Sequence, residues 1–144
     1  EFKDYLMLMQ KSALKMQELI DDLRIFSQTA IQVELSKKIN LEKVFKEIIS
    51  DLGLLPLKND GQILVDPFPT IEGNLDQMRL LFQNLLSNAI KFHDPDKLQE
   101  IKIYSRPCGQ DNWEVSVEDP GIGFDEKYKD RIFRPFEKLH GTSA

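Results

Sequence analysis

Residues 74–92 read NLDQMRLLFQNLLSNAIKF. Apolar side chains recur at Leu75, Met78, Phe82, Leu85, Ala89 and Phe92, three and four residues apart. That is the period of a helix with one buried face. His93-Asp94-Pro95 follows, and the residue before a proline is pushed out of the helical region, so the helix ends there. A second set interleaves with the first. Asn84, Asn88 and Lys91 lie four and three residues apart and form a polar stripe beside the apolar one. An amide oxygen is the hard kind of ligand that magnesium prefers, and an ammonium group neutralises phosphate oxygens. Taken alone, the same stripe also fits a solvated helix face.

Working outward, the segments around this helix alternate between the two periods. Downstream, Ile101 and Ile103 alternate with polar neighbours over 101–104. Trp113, Val115 and Val117 do so over 113–117, and Gly109 and Asn112 supply a turn between the two strands. Upstream, Ile63-Leu64-Val65 reads as a short buried strand, and Ile71 belongs to another. Asn40 is an N-cap for a helix over 41–54 with Val44, Ile48 and Leu52 on its apolar face. Residues 33–39 fit a strand, and Pro56 with Asn59-Asp60-Gly61 marks a turn. Helices interleaved with mostly antiparallel strands predict an α+β fold, a two-layer α/β sandwich.

The first 30 residues have a different texture. Phe2, Leu6, Met9, Ala13, Met16, Ile20 and Leu23 are spaced four and three apart, and Ser27 and Ala30 continue the series. This is a heptad seam, widened on one side by Leu19 and Phe26, and it needs another helix to pack on. No second run in the chain matches it, so the seam predicts a homodimer or a partner helix outside the chain. A long amphipathic helix folded onto its own domain remains the alternative. Residues 1–32 are therefore expected to be separate from a domain over 33–144. Glu1 lies inside the helical pattern and residues 140–144 read as loop, so a longer parent protein is expected.

With 41% apolar and 30% charged residues the composition is that of an ordinary soluble protein. The formal net charge of -5 argues against a nucleic-acid partner, which needs a basic face. Cys108 is the one cysteine, so no internal disulfide forms, and a reducing, cytoplasmic setting fits. No run is long and apolar enough to span a bilayer, which leaves a membrane-bound parent open.

Two further stretches carry chemistry. Residues 118–124 read EDPGIGF. Gly121 and Gly123 around one apolar residue allow close backbone approach to a ligand. Asp119 is an acceptor suited to an amino group such as the exocyclic amine of adenine. By itself this pattern fits any turn between two elements. Residues 131–136 read RIFRPF, an aromatic and basic loop that suits either a cover over a nucleotide or a surface anchor.

The order of the three stretches says more than any one of them. LLSNAIKF at 85–92, the Asp119, Gly121 and Gly123 loop, and FRPF at 133–136 closely resemble the asparagine, first glycine and phenylalanine boxes of the ATP-binding domain of sensor histidine kinases. The N-terminal helix, with LIDDL at 19–23, resembles the second helix of that family's dimerisation and phosphotransfer hairpin. The resemblance implies ATP and magnesium as ligands. Asn88 would hold the metal against the ATP phosphates, Asn84 and Lys91 would line the phosphate side, and Phe92 would flank the nucleotide. Asp119 would accept from the adenine amine, with Gly121, Ile122 and Gly123 shaping its pocket. Phe133, Arg134 and Phe136 would belong to a mobile lid. It also implies a homodimer, an upstream sensor domain and a response-regulator receiver domain as partners.

Hydrolysing relatives of this fold carry a glutamate where this chain has Asn84, and an amide is no general base. That favours transfer to a protein side chain over hydrolysis. The acceptor histidine is expected outside the chain, because His93 and His140 are its two histidines and neither lies on the heptad helix. Two departures stand out. Pro120 replaces the family's usual asparagine, which removes an N–H donor. The chain also stops at Ala144, before the family's second glycine box. These departures motivate the alternative of a degenerate, non-catalytic dimerisation and signalling scaffold.

Overall fold

A computed structural model describes residues 1–31, 37–53 and 61–134. Those residues form two compact units: residues 37–53 with 61–125, and residues 1–31 with 126–134. The expectations for residues 33–36, for Leu54, Pro56, Asn59 and Asp60, and for Phe136 and His140 fall outside the described residues.

In the first unit the elements are β1 (Lys37–Asn40), α2 (Leu41–Asp51), β2 (Gln62–Val65), β3 (Thr70–Gly73), α3 (Leu75–Lys91), β4 (Glu100–Pro107) and β5 (Trp113–Glu118). β1 and β3 form a two-stranded antiparallel ladder with Ile39 opposite Ile71. The other three strands form a sheet in the order β2-β4-β5. β4 is central. It pairs in parallel with β2, Ile63 opposite Ile101, and antiparallel with β5, Ile103 opposite Val117. The parallel pair requires a crossover between β2 and β4, and that crossover contains α3. This is the α+β two-layer arrangement read from the sequence.

The core lies between the two helices and one face of the sheet. Asn40 caps α2 as expected, its side-chain oxygen accepting from the Lys43 N–H at 3.1 Å. α2 then buries Leu41, Val44, Phe45, Ile48 and Ile49. The Phe45 ring packs 4.5 Å from Phe82 of α3 and 5.0 Å from Phe68. Ile101 and Ile103 of β4 close the layer from below. Burying each such side chain contributes roughly 1.5–3 kcal/mol. Arg79 of α3 reaches back to Glu47 and, at 3.2 Å, to Asp51 of α2, tying the helices together at the surface.

Four expectations need correction. α2 ends at Asp51, three residues early. Gly53 takes a left-handed conformation (φ 59°) and its N–H bonds the Ser50 carbonyl, a turn that stops a helix and favours glycine. On α3 the fully buried leucine is Leu86, whereas Leu85 is 38% exposed and Leu75 and Phe92 are exposed too. The buried line is 82–86–89, which keeps Phe82 and Ala89 of the expected stripe and replaces Leu85 by its neighbour Leu86. β4 runs to Pro107, three residues beyond Tyr104, because β5 extends its ladder to Trp113. β2 is half-buried rather than buried, with Leu64 exposed, and Trp113, an apolar member of the alternation in β5, is exposed as well.

In the second unit α1 (Phe2–Ile31) is one uninterrupted helix, as the heptads require. Its seam residues Phe2, Leu6, Met9, Met16, Ile20 and Leu23 are all exposed, and so are Leu19 and Phe26. A short 3₁₀ turn, Glu126–Tyr128, lies in the same unit.

The α3 correction has a direct check. Leu86→Ala is expected to destabilise the chain by about 2–5 kcal/mol through loss of core packing. Leu85→Ala is expected to cost under about 1 kcal/mol, as at half-exposed sites generally. Denaturant unfolding of the two variants would refute the assignment if the order were reversed.

Candidate functional site

α3 is pinned at its start by the Asn74 side chain, which accepts from the Gln77 N–H at 2.9 Å. With Phe82, Leu86 and Ala89 turned inward, the helix turns Asn84, Asn88 and Lys91 outward, and all three are exposed. The Lys91 ammonium lies 5.6 Å from the Phe92 ring centre, within cation–π range.

The loop after β5 comes to the end of this helix. The Ile122 N–H donates to the Phe92 carbonyl at 3.0 Å, and His93 and Gly121 form an isolated antiparallel bridge. The end of the asparagine stripe and the aspartate–glycine loop are thus joined by backbone contacts. Their local geometry explains the glycines. A side chain on Gly121 would put its first carbon 2.8 Å from the Phe92 carbonyl oxygen and into the Asp119 carboxylate. Gly123 has φ 65°, a left-handed conformation that ordinary residues rarely take. The Asp119 Oδ1 accepts from the Gly121 N–H at 2.8 Å, so one carboxylate oxygen is used to shape the loop.

Asp119 also lines an open cleft of about 280 Å³ with Leu98, Glu100, Lys102, Glu118 and Pro120. Asn84, Asn88 and Lys91 do not line it. At this cleft the Gln62 amide donates to Glu100 at 2.7 Å, and Lys102 lies 3.1 Å from the same carboxylate. The Gln62 bond first, and Lys102 second, hold the Glu100 carboxyl below its ordinary range. Glu100 in turn pushes the Lys102 ammonium up.

The structure therefore joins Phe92 to Ile122 and holds Asp119, Gly121 and Gly123 in one loop. Phe133 and Arg134 belong to the other unit, where both are exposed, Phe133 at 82%. Sequence reasoning did not find the Phe92 carbonyl or the Ile122 N–H, because every residue carries those groups and only the fold selects a pair. His93 Nδ1, buried without a hydrogen-bond partner beside the same seam, was also missed. No pattern in the sequence marks it.

Comparison with known proteins follows the same lines. Residues 73–144, half of the chain, match the family described as histidine kinase-, DNA gyrase B- and HSP90-like ATPases. The chain belongs to that family. Among its relatives, cyanobacterial phytochrome A of Nostoc is 36% identical over 87% of this chain. The phytochrome-like protein Cph1 of Synechocystis is 30% identical over 96%, and the phosphate regulon sensor protein PhoR of Pseudomonas aeruginosa is 26% identical over 94%. The chain spans 16%, 18% and 31% of their respective lengths. In fold it resembles the nucleotide-free catalytic domain of the histidine kinase ThkA, with a TM-score of 0.61 and 22% identity over 72% of this chain and 71% of that one. Taken together, the family match and these similarities support a sensor-histidine-kinase-type ATPase chain. Among its described residues no helix is long and apolar enough to cross a membrane.

Two substitutions probe the site's construction. Gly121→Ala is expected to break the loop from α3, at a cost of about 1–3 kcal/mol, with faster amide exchange at Ile122. Gly109→Ala in the β4–β5 hairpin meets no neighbours and should cost only the left-handed strain of about 1–2 kcal/mol. Equal exchange at Ile122 in both variants would contradict the seam. Separately, Gln62→Ala is expected to raise the Glu100 carboxyl toward its ordinary range, read by carboxyl-carbon NMR. The sign follows from its lowered position in the fold. The Glu100 contribution is present above the ordinary carboxyl range and fades as pH falls through its folded value. Gln62→Ala should therefore shrink that contribution and make its loss complete at a higher pH.

Proposed function

We propose that this chain is the ATP-binding catalytic part of a protein-histidine kinase. The observation that carries the proposal is the backbone seam between Phe92 and Ile122, because it joins the end of the helix bearing the asparagine stripe to the aspartate–glycine loop. In this reading Asp119 accepts a hydrogen bond from the adenine amine, and Gly121, Ile122 and Gly123 form the wall of the base pocket. Phe92 flanks the nucleotide. Asn84 and Lys91 face the phosphates, and Phe133 and Arg134 belong to a lid.

The donor set suits magnesium. Asn88 offers a hard, exposed oxygen. Among the described residues no three carboxylate, imidazole or thiolate side chains converge into a cage. Magnesium usually completes its shell with water and substrate phosphates, and when bound here it would neutralise the phosphate oxygens. Lys91 adds positive charge, and positioning plus charge neutralisation is most of what phosphoryl transfer needs. The acceptor is the imidazole nitrogen of a histidine outside this chain. Its bond to the γ-phosphorus forms as the bond to the ADP oxygen breaks. Asn84 cannot act as a base on water, which favours this route over hydrolysis.

The exposed heptad seam of α1 supports a homodimer, with the acceptor histidine on a neighbouring helix of the bundle. The phosphoryl group then passes to a response-regulator aspartate. The parent protein joins this part to a sensor domain, and the kinase works in the cytoplasm.

Isothermal titration with a non-hydrolysable ATP analogue, with and without magnesium, tests the reading. Magnesium-dependent binding is expected. Asn88→Ala should weaken it by ten-fold or more, the loss of one contact to a charged group of ~1.5–3 kcal/mol. Absence of binding, or binding indifferent to both magnesium and Asn88, would defeat the proposal.

A further inference from the structure

Pro120 is one of the two departures from the pattern that the chain otherwise follows. Read from the sequence, it is a loss, because it removes an N–H from the pocket. The geometry gives it a different part. Asp119, Pro120 and Gly121 form an Asx turn, in which the side-chain oxygen of the first residue accepts from the N–H of the third, here at 2.8 Å. Proline fixes φ near the value such turns use at their second position. The third position must lack a side chain, since a carbon there would strike the Asp119 carboxylate and the Phe92 carbonyl. Asp-Pro-Gly meets each requirement.

The turn has two consequences. Asp119 is exposed, and the terminal torsion of a free aspartate is broad. Engaging Oδ1 fixes that torsion and leaves Oδ2 directed by the turn. The turn also presents the next N–H, that of Ile122, to the Phe92 carbonyl at 3.0 Å. Pro120 itself is half-buried and lines the cleft with Asp119 and Leu98.

We infer that Pro120 is a positioning residue, which locks the Asp119 carboxylate in the orientation that accepts from the exocyclic amine of the base. This rests on the proposed ATP site and adds to it the source of its selectivity for an amine-bearing purine. Fixing a turn with proline removes alternative conformers, and compatible prolines stabilise by an amount equal to about two- to five-fold in an equilibrium.

The test compares the magnesium complexes of a non-hydrolysable ATP analogue and of the matching purine riboside triphosphate, which lacks only the amine. The whole chain is expected to prefer the amine-bearing nucleotide by about ten-fold or more, as for a hydrogen bond to a charged acceptor. In Pro120→Ala that preference should shrink by about two- to five-fold. Affinity for the amine-free nucleotide should fall by less than that for the amine-bearing one, whereas a general loss of structure would weaken both alike. In the nucleotide-free chain, Gly121 amide exchange should accelerate by the same factor. Pro120→Asn, which also frees φ, should behave alike and serves if the alanine variant does not fold. An unchanged preference, or unchanged exchange at Gly121, overturns the inference while leaving the ATP site standing. If the unmodified chain binds neither nucleotide, the ATP reading and this inference fail together.

Discussion

Phe92 caps the C-terminal end of α3, and its carbonyl has no further turn of helix to accept from. Every helix leaves such groups at its end, and they must find partners or water. Here the partner is the Ile122 N–H. One bond of this kind contributes only ~0.5–1.5 kcal/mol net, but its placement governs the region. It holds a loop that has little packing of its own against the element bearing Asn84, Asn88 and Lys91. Gly121 is required because that contact leaves no room for a side chain.

The contact can form only if helix and loop arrive in the same place, and the core sees to that. Leu86 is fully buried, and with Phe82 and Ala89 it sets the rotation of α3 about its axis. β5 delivers the loop, and its position is set by six residue pairs with β4. β4 is fixed in turn by its parallel pairing with β2 on the other side. A shift of one residue in a strand would turn its inward side chains outward. Ile101 and Ile103, both buried, make such a slip costly.

Much of this was legible beforehand, for reasons that are local. The Asn40 cap, the order of helices and strands, and the outward stripe on α3 all follow from residues near one another in sequence. The misses depended on distant partners or on backbone. Leu85 and Leu86 are adjacent and equally apolar, so only the elements packed against α3 decide which is buried. The parallel pairing of β2 joins strands 38 residues apart, Gln62 to Glu100, and no periodicity reveals it. Gly53 was a visible stop signal for α2, and the apolar Leu52 and Leu54 around it masked it. In the candidate site the residue types were legible from three short stretches. The bond that unites two of them was not, being made by peptide groups common to every residue.

The β4–β5 hairpin ends in a turn where Gly109 and Asp111 both take left-handed conformations and the Cys108 N–H bonds the Asn112 carbonyl. Cys108 is exposed there, and it is the single thiol of the chain. The six residues of β5 separate the hairpin from the glycine loop by about 17–20 Å at the usual rise per residue. A fluorophore or spin label coupled to Cys108 would therefore sit at the opposite end of the strand from the loop. The fold supplies a ready reporter position, with no cysteine to remove and no new one to introduce.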